Sequence, residues 1–241
     1  QLYKTGAEQR AVDLLLQQVT TMRRALALQD NTTGKLLFVD LLSNAIDLIS
    51  LMLEHGSSGV RVPELPALSV EEKDFAMVAA REFGLAFNTM QNLAERPDFF
   101  ENDGDAPAWY VKIFFKPNMT MNELVRSFHY LEELTQLSAP ELAKRMTDGE
   151  PPSLTGSKLR NYVGVELLKL SSINWDDYVV RLFDLDVKIA LFNQIHHQGL
   201  KNQTLHNPYY GAEVPAERDG RLCFSGPLDD RQFVRCLRMS L

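Results

Sequence analysis

Stretches of 3.6-residue apolar periodicity alternate with short polar breaks along this chain, and that rhythm predicts a succession of helices. From Ala7 to Gln29 the positions Val12, Leu15, Leu16, Val19, Met22 and Leu26 form one apolar stripe. Such a stripe marks an amphipathic helix. Asp30-Asn-Thr-Thr-Gly34 interrupts it. Lys35 to His55 is apolar nearly all round, which predicts a helix in the middle of a bundle. The glycines at 56 and 59 and the prolines Pro63 and Pro66 then read as a loop.

Three Ser/Thr-x-x-Glu boxes predict helix starts. Ser69 and Glu72 open a helix running to about Glu95, which Pro97 stops. Thr120 and Glu123 open a second, and Ser138 and Glu141 a third, ending near Gln136 and Met146. Trp109 to Phe115 is aromatic and β-branched, so it predicts a short strand or an extended segment lying over the helices. Lys158 to Leu170 reads as helix. Asn174-Trp-Asp-Asp177 caps a long final helix with Tyr178, Leu182, Leu185, Ile189, Phe192 and Ile195 inward, ended by Gly199.

Beyond residue 200 the pattern changes to Pro/Gly turns, two short apolar runs and both cysteines. Leu222-Cys-Phe224 and Phe233 to Leu237 predict an antiparallel pair around the Gly226 to Asp230 turn, and Asp219-Gly220 is a hairpin signal. The expected fold is mainly α: a multi-helix, bundle-like domain over residues 1–200, with a subdivision near 97–117 as the alternative, and a tail over 201–241 carrying a small β-hairpin.

Composition narrows the function classes. The 241 residues, 45 % of them hydrophobic, suffice for a real core. A net charge of -7 without a basic run argues against nucleic acid and against an anionic membrane surface. The most apolar window, Leu36 to Leu53, carries Asp40, Asn44 and Asp47. Each carboxylate would cost about 2.5–3.5 kcal/mol at a bilayer centre, so a buried helix of a soluble fold is expected. The sequence starts at Gln1, so a membrane anchor, if one exists, lies upstream.

Cys223 and Cys236 are either a free pair in a reducing compartment or a disulfide in an oxidising one. The turn-forming residues between them favour the disulfide. Their spacing matches neither a zinc site nor a Cys-x-x-Cys redox pair.

Nucleophile elbows, phosphate loops, His-Glu-x-x-His and dinucleotide fingerprints are all missing from the sequence. Four weaker groupings remain. Asp40 and Asp47 share a helix face and are candidates for acid–base work or for a divalent cation. His196, His197 and His206, with Asp184 and Asp186 upstream, are candidate metal ligands, although adjacent helical histidines point about 100° apart. Asp98, Glu101, Asp103 and Asp105 form an acidic loop, and Asp219, Asp229 and Asp230 cluster in the tail; both are calcium candidates. Each grouping has a plainer reading as turn, cap or solvated surface, so neither metal nor cofactor is expected. Trp109, Tyr110, Phe114 and Phe115 are the candidate interaction surface, because aromatic runs favour interfaces.

The tail residues Asn207, Pro208, Gly211, Asp219, Gly220, Leu222, Phe224, Gly226, Pro227, Asp229 and Asp230, following a long helix, resemble the C-terminal segment of a diffuse group of bacterial envelope proteins of unassigned activity. They are also similar to the β-region after the long helix of major pseudopilins. The resemblance spans roughly the last quarter of the chain. It implies a periplasmic or other extracytoplasmic location. The expected function is a non-enzymatic interaction or scaffold module with a protein partner. The alternatives are a metal-dependent hydrolase using Asp40/Asp47 or His196/His206, and a carrier of a small apolar ligand held between helices.

Overall fold

A computed structural model describes residues 7–56, 59–99, 107–149, 159–170, 174–198 and 204–239. The chain is mainly α with a small C-terminal antiparallel sheet, as its periodicity predicts. It divides into two compact units, one comprising residues 1–74, 137–149 and 176–241 and the other 75–136 and 150–175.

In the first unit α1 (Glu8–Ala27) packs on α2 (Thr32–His55). The break between them is shorter than expected. Asn31 caps α2 by accepting from the Gly34 N–H at 2.7 Å, so helix resumes at Thr32. The Ser69/Glu72 capping box forms, but the helix it opens, α3 (Val70–Lys73), lasts one turn. The expected run to Glu95 is broken at Asp74, whose backbone is extended and whose carbonyl accepts from the buried Lys35 ammonium. Burial lowers the Lys35 pKa to about 8 against the pull of Asp74 and Glu72. The Ser138/Glu141 box also forms and opens α7 (Ala139–Asp148).

In the last described helix, α9 (Trp175–Gln198), every residue from Val179 to Phe192 is buried or half-buried, with Val179, Leu182, Phe183, Leu185, Val187, Leu191 and Phe192 in the core. α2 buries Val39, Leu42, Ile46 and Ile49 but leaves Leu37, Leu41 and Leu48 exposed. By length and composition α2 could cross a membrane, with a mean hydropathy of 1.9, yet half of that window is buried in protein.

Among the described residues the tail forms two sheets. β1 (Leu205–Asn207) pairs with β2 (Gly211–Glu213). β3 (Ala216–Arg218), β4 (Arg221–Cys223) and β5 (Cys236–Arg238) make a three-stranded antiparallel sheet in that order. The β4–β5 pair is the expected hairpin, in register Cys223 opposite Cys236. Its third strand enters through the Asp219-Gly220 turn, where both residues have positive φ, 50° and 69°, as a two-residue type I′ hairpin requires.

The second unit holds α4 (Ala76–Glu95), α5 (Ala108–Phe114), α6 (Pro117–Thr135) and α8 (Tyr162–Leu170). Met90, Val111, Phe115, Met121 and Val163 form its core, with Phe83, Tyr110 and Phe114 packed around them. Two sequence expectations fail here. Trp109 to Phe114 is helix rather than strand, and only its C-cap, Phe115, is extended. Its 3.6-period pairs Val111 with Phe115 against the core, and packing outweighs the β-propensity of single residues. The Thr120/Glu123 box does not cap α6. That helix starts at Pro117, where the missing N–H costs nothing.

Thr120 is instead a buried link. Its Oγ1 donates to the Lys116 carbonyl at 3.1 Å and accepts from Asn161 Nδ2 at 2.9 Å, while Asn161 Oδ1 accepts from the Lys116 N–H at 2.7 Å. Gly164 lies against this pair: a Cβ there would stand 2.1 Å from Thr120 Oγ1. Gly164→Ala is therefore expected to destabilise the second unit by about 1–3 kcal/mol through overpacking. Urea unfolding checks this, and a midpoint equal to wild type would refute the close packing.

Candidate functional site

The tail sheet sits on helices through two buried ionic networks, and these absorb most of the titratable candidates. β5 packs on α2. Asp47, buried on α2, receives Lys188 Nζ from α9 at 2.8 Å, Arg221 Nη1 from β4 at 3.0 Å and the Arg238 N–H from β5 at 2.9 Å. Lys188 is wholly buried and also donates to Ser43 Oγ at 2.8 Å. Burial lowers the Lys188 pKa to about 8, against the attraction of Asp47. Asp40, on the same helix, is half-buried, and burial raises its pKa. None of the contacts of Asp47 involves Asp40. Asp47 is the node that ties two helices to two strands.

The second network is centred on Arg235. Its Nη1 donates to Asp184 Oδ2 at 3.2 Å, its Nε to the Phe224 carbonyl at 3.2 Å and its Nη2 to the Leu228 carbonyl at 2.9 Å. Tyr209 OH donates to Asp184 Oδ1 at 3.0 Å. Burial pushes the Asp184 pKa up to about 7, while Arg235 and Tyr209 pull it down. Buried charges need partners, and the planar guanidinium fork supplies three hydrogen bonds from one side chain. Asp230 accepts from the Val234 and Arg235 N–H groups at 2.9 Å each, so it is a turn cap. Asp229 pairs with Arg231 at the surface, and Asp219 serves the type I′ turn.

Cys223 and Cys236 lie at disulfide distance, Sγ to Sγ 2.17 Å and Cα to Cα 4.1 Å, and both are buried. They join β4, which carries Arg221, to β5, which carries Arg238 and directly follows Arg235, so the bond closes the segment that delivers these arginines to Asp47 and Asp184.

The histidines are not gathered. His196 Nε2 lies 2.8 Å from Ser50 Oγ, with its ring against Phe192. His197 and His206 are exposed, and the backbone of His206 is clamped by the Gln194 amide. Among the described residues no three His, Cys, Asp or Glu side chains are placed to hold a metal ion. Asp98 is exposed, and Glu101, Asp103 and Asp105 lie outside the described residues.

The aromatic run divides by helical face. Phe115 is core, while Tyr110 and Phe114 are half-buried, 4.7 Å apart by ring centroids. Trp109 is 62 % exposed, with Ile113 one turn along, also exposed, and Tyr162 nearby against Tyr110. The outward surface is thus Trp109 and Ile113 on α5, with Tyr162 beside them.

A cleft of about 410 Å³ runs between α1 and the 63–72 segment, lined by Leu16, Val19, Pro63, Leu65 and Pro66 with Arg23 and Arg24. Its far wall is fastened at several points. Arg23 grips both Glu72 carboxylate oxygens, at 2.5 and 2.6 Å, and the Pro66 and Ala67 carbonyls. Burial acts to raise the Glu72 pKa, but Arg23 and the Ser69 N–H hold it below the usual carboxylate range. Asn193 clamps both backbone groups of Leu65, and Asp186 holds the Leu68 N–H and Lys73.

Lys188, Arg221, Arg235 and Tyr209 were not singled out from sequence. The signal available was a lone lysine inside the apolar run of α9 and an arginine at an inward position between Val234 and Cys236. Each polar residue flanked by core residues called for a buried counter-charge.

Fold and site together define a mainly α protein whose C-terminal sheet is held by a cysteine pair and two buried ion networks. Comparison with protein-family models, with curated proteins and with solved structures finds no match.

Proposed function

We propose that this chain is a non-enzymatic interaction module of a bacterial cell envelope, working outside the cytoplasmic membrane, with the outward face of α5 as its protein contact. Trp109 carries this reading. An indole 62 % exposed, with Ile113 one turn away, is set on a helix whose other face anchors a core. Tryptophan is the residue type most enriched among interface hot spots. The cysteine pair supports an oxidising compartment, and the tail turns resemble those of envelope proteins. Asp47 and Asp184 support a structural role for the buried charges, since each is held by an arginine from the tail.

A photo-crosslinker placed at position 109 in cells is expected to give one discrete adduct, where one at exposed Glu217 gives none. The partner so identified, once purified, should bind the chain at least about tenfold more weakly after Trp109→Ala, the scale of a hot-spot truncation. Equal binding by wild type and variant would overturn the assignment of this surface.

The cleft favours a second reading, a carrier of a small apolar ligand. Its volume falls within the range of small-molecule pockets, and its floor is apolar with Arg24 exposed at the rim. Saturable displacement of a fluorescent fatty-acid probe, weakened by Leu16→Trp, separates this reading from the first.

A further inference from the structure

We propose that the outward face of α2 is a docking surface for a second copy of this chain, in antiparallel two-fold contact about Asn44. This goes beyond the proposed partner site on α5 and uses none of its residues.

At 100° per residue, Leu37, Leu41, Asn44, Leu48 and Leu51 fall within an arc of about 80°. Their spacing of four, three, four and three is that of a coiled-coil seam. Leu37, Leu41 and Leu48 are 54, 41 and 47 % exposed, Asn44 is exposed and Leu51 half-buried. The opposite face of the helix is already spent on Val39, Leu42, Ile46 and Ile49 in the core. α2 therefore has two apolar faces and fills one of them within its own unit.

The seam itself points to its occupant. Asn44 stands at the midpoint of α2, which runs from Thr32 to His55. The leucines lie nearly symmetrically about it, seven and three residues before and four and seven after. An antiparallel copy thus sets Leu37 against Leu51, Leu41 against Leu48, and Asn44 against its own mate. A carboxamide carries both donor and acceptor, so two of them on a two-fold axis satisfy each other. Any shifted register would bury that amide against leucine, which is how a single polar residue in a seam selects one arrangement. An isologous contact of this kind closes as a dimer. A lipid surface would meet the amide with headgroups and water wherever it lay, and so gives no reason for leucines placed symmetrically about it. The seam is about 21 Å long at 1.5 Å per residue. One helix pair of that length buries less than the roughly 800 Å² per partner of a standard interface, so the dimer is weak and concentration-dependent.

Sedimentation equilibrium of the whole chain at loading concentrations of about 5 to 200 µM should show a monomer–dimer equilibrium, since the interface is below standard size. Leu41→Glu and Leu48→Glu should each leave only monomer, with an unchanged circular dichroism spectrum. Asn44→Cys should form an intermolecular disulfide readily under mild oxidation, because position 44 meets itself. Thr33→Cys, on the same face but far from the axis, should not. The cysteine pair keeps the test decisive if the glutamate variants fail to fold. Monomer at the highest concentration, a dimer that survives Leu41→Glu, or linkage through position 33 as fast as through 44 would each overturn the proposal. So would a monomer that floats with phosphatidylethanolamine/phosphatidylglycerol vesicles through this face, which would assign it to lipid instead.

Discussion

Arg235→Ala is expected to lower the stability of the chain by about 3–5 kcal/mol, the scale for stripping one partner from a buried ion pair. The truncation leaves Asp184 in the interior with only Tyr209 as a side-chain donor among the described residues, and it removes the guanidinium from the Phe224 and Leu228 carbonyls. An unpaired buried carboxylate costs more than the pair itself contributes, because its hydration is lost without compensation. Arg235→Lys should also destabilise, since a point ammonium cannot replace three donors of the guanidinium fork. The double variant Asp184→Asn/Arg235→Met should lose less than the two single changes combined, because both charges leave together. Urea denaturation of wild type, Arg235→Ala, Arg235→Lys, the single changes Asp184→Asn and Arg235→Met, and the double variant measures this. A stability change under about 1 kcal/mol for Arg235→Ala would mean that the network does not exist as described.

Replacing both cysteines, Cys223→Ser with Cys236→Ser, should cost about 3 kcal/mol in the chain-entropy account of a loop this size. The two residues are 13 apart and directly opposite in the β4–β5 ladder. A three-residue ladder has little stability of its own, so the sheet depends on the cross-link and on the helices beneath it. Loosening β4 and β5 also withdraws the Arg221 side chain and the Arg238 N–H from Asp47. The urea midpoints of the oxidised wild type and the double-serine variant test this at equal pH. Coincident midpoints would show that the bond contributes nothing to the folded state.

Much of the architecture was legible in the sequence, and for local reasons. The stripe from Val12 to Leu26 places α1 within two residues at its C-terminal end, because a 3.6-period stripe admits one element type. The boxes at Ser69 and Ser138 cap helices because side chain and backbone N–H are three residues apart, whatever the rest of the fold does. Asp219-Gly220 turns the chain because both positions tolerate positive φ. The pairing of Cys223 with Cys236 follows from the short reversal between them.

What failed depended on distant residues. Thr120 looks like a cap from its neighbours, yet Pro117 starts the helix earlier and Asn161 takes the hydroxyl. Trp109 to Phe115 has strand-like composition, but a core of Met90, Met121 and Val163 rewards the helical face. The sequence by itself determined the strongly periodic helices, the helix starts at Ser69 and Ser138 and the tail turns, since these are decided within a few residues by periodicity and backbone sterics. Only the tertiary structure decided that Asp47 and Asp184 are ion-pair nodes, and that α9 rather than α2 is enclosed. The partners of those two aspartates, Lys188, Arg221 and Arg235, lie 51 to 174 residues away or on another element, and burial and Coulomb attraction act through space rather than along the chain.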